Sequence, residues 1–273
     1  MKRSQIIFVI AGIAVSFLLY SLPKVVVDNE DKGLTEDGTS LGSDSSSEEI
    51  NHGNSLSSSD LEVIENLMAE IQGEASTEKF VIFADSIAKV YQNGGKLDSA
   101  AYYFGLIAEK APDPKNWEKA GNAYYEAFGF SMEEIKTKRL GDKTRLYLGK
   151  VLEVDPERLD LKTKIAMTYV SSANPMQGIT MLRAVLEEDP ENEEALFNMG
   201  ILSMQSGQYK RAVERFEKLV EHHPENIQGQ FYLGVSLFES NQKKLAKTQL
   251  EGLRKQTTDP QILSGIENYL DRL

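Results

Sequence analysis

The feature that most constrains the fold is a set of prolines at a constant interval. Pro156, Pro190 and Pro224 follow one another every 34 residues. Small residues keep the same interval, Gly200 with Gly234 and Ala212 with Ala246. Proline ends a helix because it has no backbone N–H to donate and its ring clashes with the preceding turn. A fixed period of this length therefore predicts an all-α solenoid of stacked helical hairpins.

The repeated positions resemble the tetratricopeptide repeat (TPR) family, which carries Trp-x2-Leu-Gly-x2-Tyr in its first helix and Ala-x3-Phe in its second. The first pattern is nearly complete between Trp117 and Tyr124, with Ala120 and Gly121 in the small positions. The second pattern recurs as Ala100-x3-Phe104, Gly178-x3-Leu182, Ala212-x3-Phe216 and Ala246-x3-Leu250. The resemblance implies a right-handed α-solenoid within residues 60–273, with about five helix-turn-helix repeats at 81–113, 114–158, 159–192, 193–226 and 227–260.

Local signals predict where individual helices begin. Asp60 predicts a helix over 60–72 ahead of the repeats, and Asp259 followed by proline predicts a C-terminal capping helix reaching Leu273. The second repeat is about eleven residues longer than the 34-residue period. Within it, Ser131-x-x-Glu134 has the spacing of a capping box, which predicts a helix starting near Met132.

The N-terminal segment predicts a membrane anchor. No charged residue occurs from Gln5 to Pro23, while Lys2 and Arg3 precede this run. We interpret residues 1–4 as a cytoplasmic N-terminus, 5–27 as a transmembrane signal-anchor helix and 28–59 as a disordered acidic and Ser-rich linker. The alternative is a cleaved signal peptide, for which Ala14-Val15-Ser16 offers a small-x-small site.

This layout predicts a single-pass membrane protein of the bacterial inner membrane, with its repeats in the periplasm. It is similar to that of signal-anchored bacterial TPR proteins that assist secretion or c-type cytochrome assembly. An organelle import receptor with a cytosolic TPR domain has the same order of segments and remains the alternative. In either case we expect a protein or peptide partner, and the net charge of −12 argues against nucleic acid.

The sequence contains no pattern typical of an enzyme. It has no cysteine and three histidines, and no HExxH, Walker or nucleophile-elbow motif occurs. Gly94-Gly95-Lys96 lacks the spacing of a phosphate loop and is interpreted as a turn. His222 and His223 are predicted in the last turn of a helix, where adjacent side chains point about 100° apart and do not converge on one ion. We therefore expect a protein without catalytic activity, metal or cofactor.

Two surfaces are candidates for binding. In TPR proteins the concave groove is lined by first-helix residues at fixed positions, which correspond here to Phe197, Ile201, Met204, Phe231, Val235 and Phe238. The alternative is that the C-terminal helix fills this groove. Asp85 and Glu118 stand where chaperone-binding TPR domains need Lys, so capture of an acidic C-terminal peptide is not expected.

The second candidate surface is a basic cluster in the long second repeat. Its members are Lys136, Lys138, Arg139, Lys143 and Arg145, with Asp142 among them. In an acidic protein, such a cluster is a candidate contact for anionic lipid or an acidic partner. The alternative is a solvated helix surface.

Overall fold

A computed structural model describes residues 56–73 and 76–273. All regular secondary structure in these residues is helical. The helices are α1 (Ser58–Gly73), α2 (Thr77–Asn93), α3 (Leu97–Lys110), α4 (Pro114–Gly129), α5 (Glu134–Val154), α6 (Leu159–Val170), α7 (Pro175–Glu188), α8 (Glu193–Gln205), α9 (Tyr209–His222), α10 (Ile227–Glu239), α11 (Lys243–Arg254) and α12 (Pro260–Leu270).

The helices form five consecutive hairpins, as the 34-residue period predicts. The hairpins are α2–α3, α4–α5, α6–α7, α8–α9 and α10–α11, and each packs against the next one along the chain. Helix α1 packs on the first hairpin, and α12 packs on the last. The described residues therefore form an α-solenoid with one further helix packed on each end of the stack.

Small residues in the first helix of a hairpin allow its partner helix to approach closely. A Cβ atom placed on Gly200 of α8 would lie 2.5 Å from Cζ of Phe216 in α9. Cβ atoms placed on Gly121 and Gly234 would meet the side chains of Leu148 and Leu250 in the same way, with the nearest side-chain atoms less than 3.0 Å away. The large side chain of the second helix thus occupies the volume that the glycine leaves free, which is the packing expected from the repeated positions.

The turns within three of the hairpins contain a residue with a positive φ angle. Gly95 and Gly207 have φ angles of 67° and 69°, and Asn241 has 65°. These residues adopt the left-handed conformation that glycine and asparagine tolerate best. Gly95 joins α2 to α3, as the interpretation of Gly94-Gly95-Lys96 as a turn predicts.

The second repeat is long because α5 has 21 residues, compared with 14 in α7 and α9. The predicted capping box at Ser131 is wrong. Glu133 is the N-cap and makes no side-chain capping bond, and α5 begins at Glu134. The Ser131 hydroxyl instead accepts a hydrogen bond from Thr137 (Oγ1 to Oγ, 2.9 Å), so it stabilises the loop rather than the helix end.

The two terminal helices differ in how well their starts are predicted. Asp259 caps α12 by accepting hydrogen bonds from the backbone N–H groups of Gln261 and Ile262. At the other end, α1 begins at Ser58, two residues earlier than Asp60 predicts. Asp60 lies in its first turn and accepts from the backbone N–H of Ser57 at 3.0 Å. The last residues assigned to the linker therefore belong to the folded part.

The predicted membrane anchor lies in a part of the chain that the structure does not describe. Among the described helices, none combines the length and the apolar character needed to cross a bilayer. Three predicted segments lie outside the described residues: the cytoplasmic N-terminus at 1–4, the anchor at 5–27 and the linker as far as residue 55.

Candidate partner-binding surfaces

The six predicted groove residues lie on two neighbouring helices, but they do not share one environment. Phe197, Ile201 and Met204 lie on α8, where all three are half-buried. The Phe197 ring makes edge contacts with Tyr232, at 5.8 Å between ring centroids, and with Phe216, at 6.1 Å. These three residues form a partly accessible apolar strip that is anchored on the core of the last two repeats. We call them the α8 strip.

The C-terminal helix contacts the two phenylalanines of α10, which are half-buried. Val235 is 4% exposed and belongs to the core. Tyr269 of α12 makes edge contacts with Phe238, at 5.3 Å between centroids, and with Phe231, at 6.3 Å. The guanidinium of Arg272 lies 4.8 Å from the centre of the Phe238 ring. The α10 half of the predicted groove is therefore in contact with the C-terminal helix, whereas no ring contact with that helix involves the α8 strip, which we keep as the candidate contact surface.

The α4–α5 loop and the first turn of α5 expose three apolar side chains that the sequence analysis did not single out. Phe130 and Ile135 are 77% and 79% exposed, and Met132 is fully exposed. The available signal was the spacing of the three apolar residues within FGFSMEEI, next to the cationic segment. The sequence analysis instead interpreted this stretch as the start of a helix near Met132. We call these three residues the α4–α5 tip.

The basic cluster on α5 is largely neutralised by ion pairs. Four of its five members pair with carboxylates: Lys136 with Asp98 at 2.7 Å, Lys138 with Asp142 at 3.3 Å, Lys143 with Glu109 at 3.8 Å, and Arg145 with Asp142. Hydrogen bonding from Lys136 lowers the pKa of Asp98, which keeps that carboxylate charged. The cluster therefore offers less free positive charge than its composition indicates.

Arg139 and Lys143 lie on the wall of a cavity of about 580 Å³ between α3, α4 and α5. Tyrosine rings form much of its lining, including Tyr102, Tyr103 and Tyr124. Tyr124 stacks on Tyr147 at 5.7 Å, and burial raises the pKa of Tyr124 to about 12. The cavity wall thus combines neutral phenol groups with cationic side chains.

The positions of the chaperone-type clamp carry paired carboxylates. Asp85 pairs with Lys119 and, at 2.9 Å, with Lys89. Glu118 accepts hydrogen bonds from Arg158, the shorter being 2.8 Å. Both carboxylates are therefore paired with cations, Asp85 with one from its own helix and one from the next repeat. The expectation that no acidic C-terminal peptide binds here stays a prediction.

A family model agrees with the architecture. Residues 152–250 match the model described as "Surface lipoprotein assembly modifier, N-terminal TPR repeats". This segment contains α6 to α9 and most of α10–α11, which are the repeats with the most regular period. No curated protein matches the chain significantly.

Solved structures share the fold at low sequence identity. A tetratricopeptide repeat protein from Parabacteroides merdae is 15% identical, with a TM-score of 0.56 over 77% of this chain and 78% of that chain. MamA from Desulfovibrio magneticus is 17% identical, with a TM-score of 0.49 over 66% of this chain and 97% of that one. YrrB is 17% identical, with a TM-score of 0.45 over 75% of this chain and 99% of that one.

Four observations indicate the same repeat fold. They are the repeat period, the five stacked hairpins, the packing of Gly200 and Gly234 against large side chains, and the matched repeat model. Over residues 152–250 the chain matches a model of tetratricopeptide repeats, and the described residues share the tetratricopeptide repeat fold.

Proposed function

We propose that this protein is a membrane-anchored scaffold that binds a partner protein outside the cytoplasm, in the assembly or secretion of proteins of a bacterial envelope. The observation that carries the proposal is the TPR solenoid, which places apolar side chains on accessible surfaces while its own core is complete. Stacked repeats of this kind present extended binding surfaces. The protein acts by binding and not by catalysis.

The envelope location rests on two sequence findings. The uncharged run from Gln5 to Pro23 follows Lys2 and Arg3, which favours a cytoplasmic N-terminus and repeats on the other side of the membrane. The family model that matches residues 152–250 is named for surface lipoprotein assembly. Together they favour a lipoprotein or another exported protein as the partner.

The α8 strip is the first candidate contact. Phe197, Ile201 and Met204 are separated by four and three residues, so they lie on one face of the helix. An apolar or amphipathic segment of the partner would cover the parts of these side chains that remain accessible. Aromatic residues dominate the affinity of many interfaces, and Phe197 is therefore the residue whose loss we expect to weaken binding most.

Protease accessibility tests the location. Intact spheroplasts of cells that produce the full-length chain are treated with protease, and membranes are extracted separately with alkaline carbonate. We expect the protein to stay in the membrane pellet and the repeats to be digested. Protection of the repeats until the cells are lysed would favour the import-receptor class with a cytosolic domain, and a soluble mature chain starting at Phe17 would show a cleaved signal peptide.

Site-specific photocrosslinking tests the binding role. A photoreactive amino acid replaces Phe197 or Met204 in the full-length protein, and Leu245, which is exposed on α11, is the control position. We expect crosslinks from α8, and not from Leu245, to an exported or lipid-modified protein. Equal crosslinking from both helices would refute a specific contact at the α8 strip.

A further inference from the structure

The two adjacent histidines lie in different environments at the end of α9. His222 is the last residue of the helix, whereas His223 is its C-cap and has left the helix, with φ −128° and ψ 67°. The prediction of no metal site assumed that both rings lie in the last helical turn and point about 100° apart. In the structure, His223 instead faces Glu193 at the start of α8 and Glu225 of its own turn.

Three potential ligand atoms converge at this point. His223 Nδ1 lies 3.8 Å from Glu193 Oε2 and 3.9 Å from Glu225 Oε1. Ligand atoms of all three residues lie within 4.8 Å of one another. Glu193 is the first residue of α8, and Glu225 lies in the turn between α9 and α10. The group therefore joins two successive turns at one edge of the solenoid.

The outer contacts orient these groups for a cation. His223 Nε2 lies 2.8 Å from the backbone carbonyl oxygen of Glu191. A carbonyl oxygen only accepts, so Nε2 carries a hydrogen. Nδ1 is the ring nitrogen that faces the carboxylates, and in the neutral ring its lone pair is available to a metal ion. Asn226 Nδ2 donates to the other oxygen of Glu193 at 2.8 Å. A histidine that donates its distal N–H to a carbonyl, beside a hydrogen-bonded carboxylate, is the outer arrangement typical of metal ligands.

The equivalent positions of the neighbouring repeats lack this ligand set. The residue before the closing proline is Asp155 in the second repeat and Asp189 in the third, whereas it is His223 in the fourth. Asp189 is used locally and accepts hydrogen bonds from Glu191 and Asn192 of its own turn. The imidazole is therefore particular to the fourth repeat and is not required by the fold.

We propose that Glu193, His223 and Glu225 form a binding site for a divalent transition metal, with Zn²⁺ as the preferred ion. One imidazole and two carboxylates are ligands that Zn²⁺ accepts, whereas Mg²⁺ and Ca²⁺ prefer oxygen ligands alone. Bonds of about 2.0–2.2 Å require the ligand atoms to lie about 3–3.5 Å apart. The Glu225 side chain is 73% exposed and free to close the remaining distance. The bound ion would connect the start of α8 to the turn after α9.

His222 is not part of this site. Its Nδ1 lies 3.3 Å from Glu191 Oε2, a carboxylate that does not belong to the converging group. It is adjacent in sequence to His223 and has a similar side-chain exposure of 31% against 27%. Replacement of His222 by Gln is therefore a matched control for the same replacement at His223.

Titration calorimetry with Zn²⁺ tests the proposal. The full-length protein is purified in detergent with an affinity tag that contains no histidine, and ZnCl₂ is titrated at neutral pH with MgCl₂ present as competitor. We expect about one Zn²⁺ per chain. H223Q should weaken binding at least about tenfold, and E193Q should weaken it in the same direction. H222Q and H52Q should bind as the unchanged protein does.

Three results would overturn the site. They are the absence of Zn²⁺ binding by the unchanged protein, equal affinity in H223Q, and an equal loss in H222Q or H52Q. The circular dichroism of each variant without metal must match that of the unchanged protein. If H223Q alone lost helicity, the Zn²⁺ affinity of E193Q would be the deciding measurement. Full affinity in E193Q would then refute the proposal.

Discussion

Replacement of Gly178 by Ala tests how closely the two helices of the third repeat approach. Gly178 lies on α7, at the position where three of the other repeats have Ala. A Cβ atom there would lie 2.8 Å from the backbone nitrogen of Val170 and closer still to the carbonyl oxygen of Ala166. Backbone atoms cannot rotate away as a side chain can. The two helices would therefore have to separate.

The expected magnitude is the difference of two opposing effects. Ala is about 1 kcal/mol more favourable than Gly inside a helix. Overpacking typically costs about 1–3 kcal/mol, and contact with backbone corresponds to the upper part of that range. G178A should therefore destabilise the protein by about 2 kcal/mol, the difference between those two effects. Gly149 of α5 is the matched control, since a Cβ atom there meets nothing within 4 Å. G149A should stabilise the protein by about 1 kcal/mol.

Urea unfolding of residues 56–273, followed by helical circular dichroism, measures both variants. The slope of the transition must be compared as well as the midpoint, because stacked repeats can unfold in parts. We expect the midpoints to move in opposite directions, downward for G178A and upward for G149A. If both variants were stabilised to the same extent, the close approach of α6 and α7 would be refuted.

Three further predictions concern the C-terminal helix, the α4–α5 tip and the buried tyrosines. F231A should lower the free energy of unfolding by about 3 kcal/mol in the same urea assay, because Tyr269 loses its partner ring and a cavity forms; an unchanged midpoint would show that α12 does not rest on this residue. The double variant F130S and M132S should leave the melting temperature within about 2–4 °C, since both side chains are exposed; a larger fall would indicate packing of the tip. Stability should fall as pH rises from about 10 to 12, because burial raises the pKa of Tyr124 to about 12 and the unfolded chain loses that proton first. Y124F should reduce this alkaline loss in a denaturation series between pH 9 and 12, and an identical pH profile would contradict the assignment.

The sequence alone predicted that residues 60–273 fold as an all-α solenoid of helical hairpins, as the described residues show. Pro156, Pro190 and Pro224 mark the period because a missing N–H and a ring clash end a helix in any surroundings. The close contacts of Gly200 and Gly234 were also predictable, because small residues at a constant interval indicate a repeated helix contact. The cap at Asp259 was predictable for a similar reason, since it depends on the next few residues alone.

The candidate sites depended on contacts between residues far apart in the chain. The spacing of Phe197, Ile201 and Met204 matches that of Phe231, Val235 and Phe238. Only the packed structure shows that Tyr269 contacts two residues of the second triplet. The cations of α5 form a cluster in the sequence, but Asp98 and Glu109 come from the preceding repeat and neutralise two of them.

The convergence at His223 has the same origin. The backbone turns out of α9 at this residue and directs its ring toward Glu193, which lies 30 residues earlier in the chain. Helical periodicity relates a residue to neighbours three or four positions away and carries no information about such a contact. Which side chains meet between successive turns is decided by the rise and rotation from one hairpin to the next, and those are properties of the packed stack.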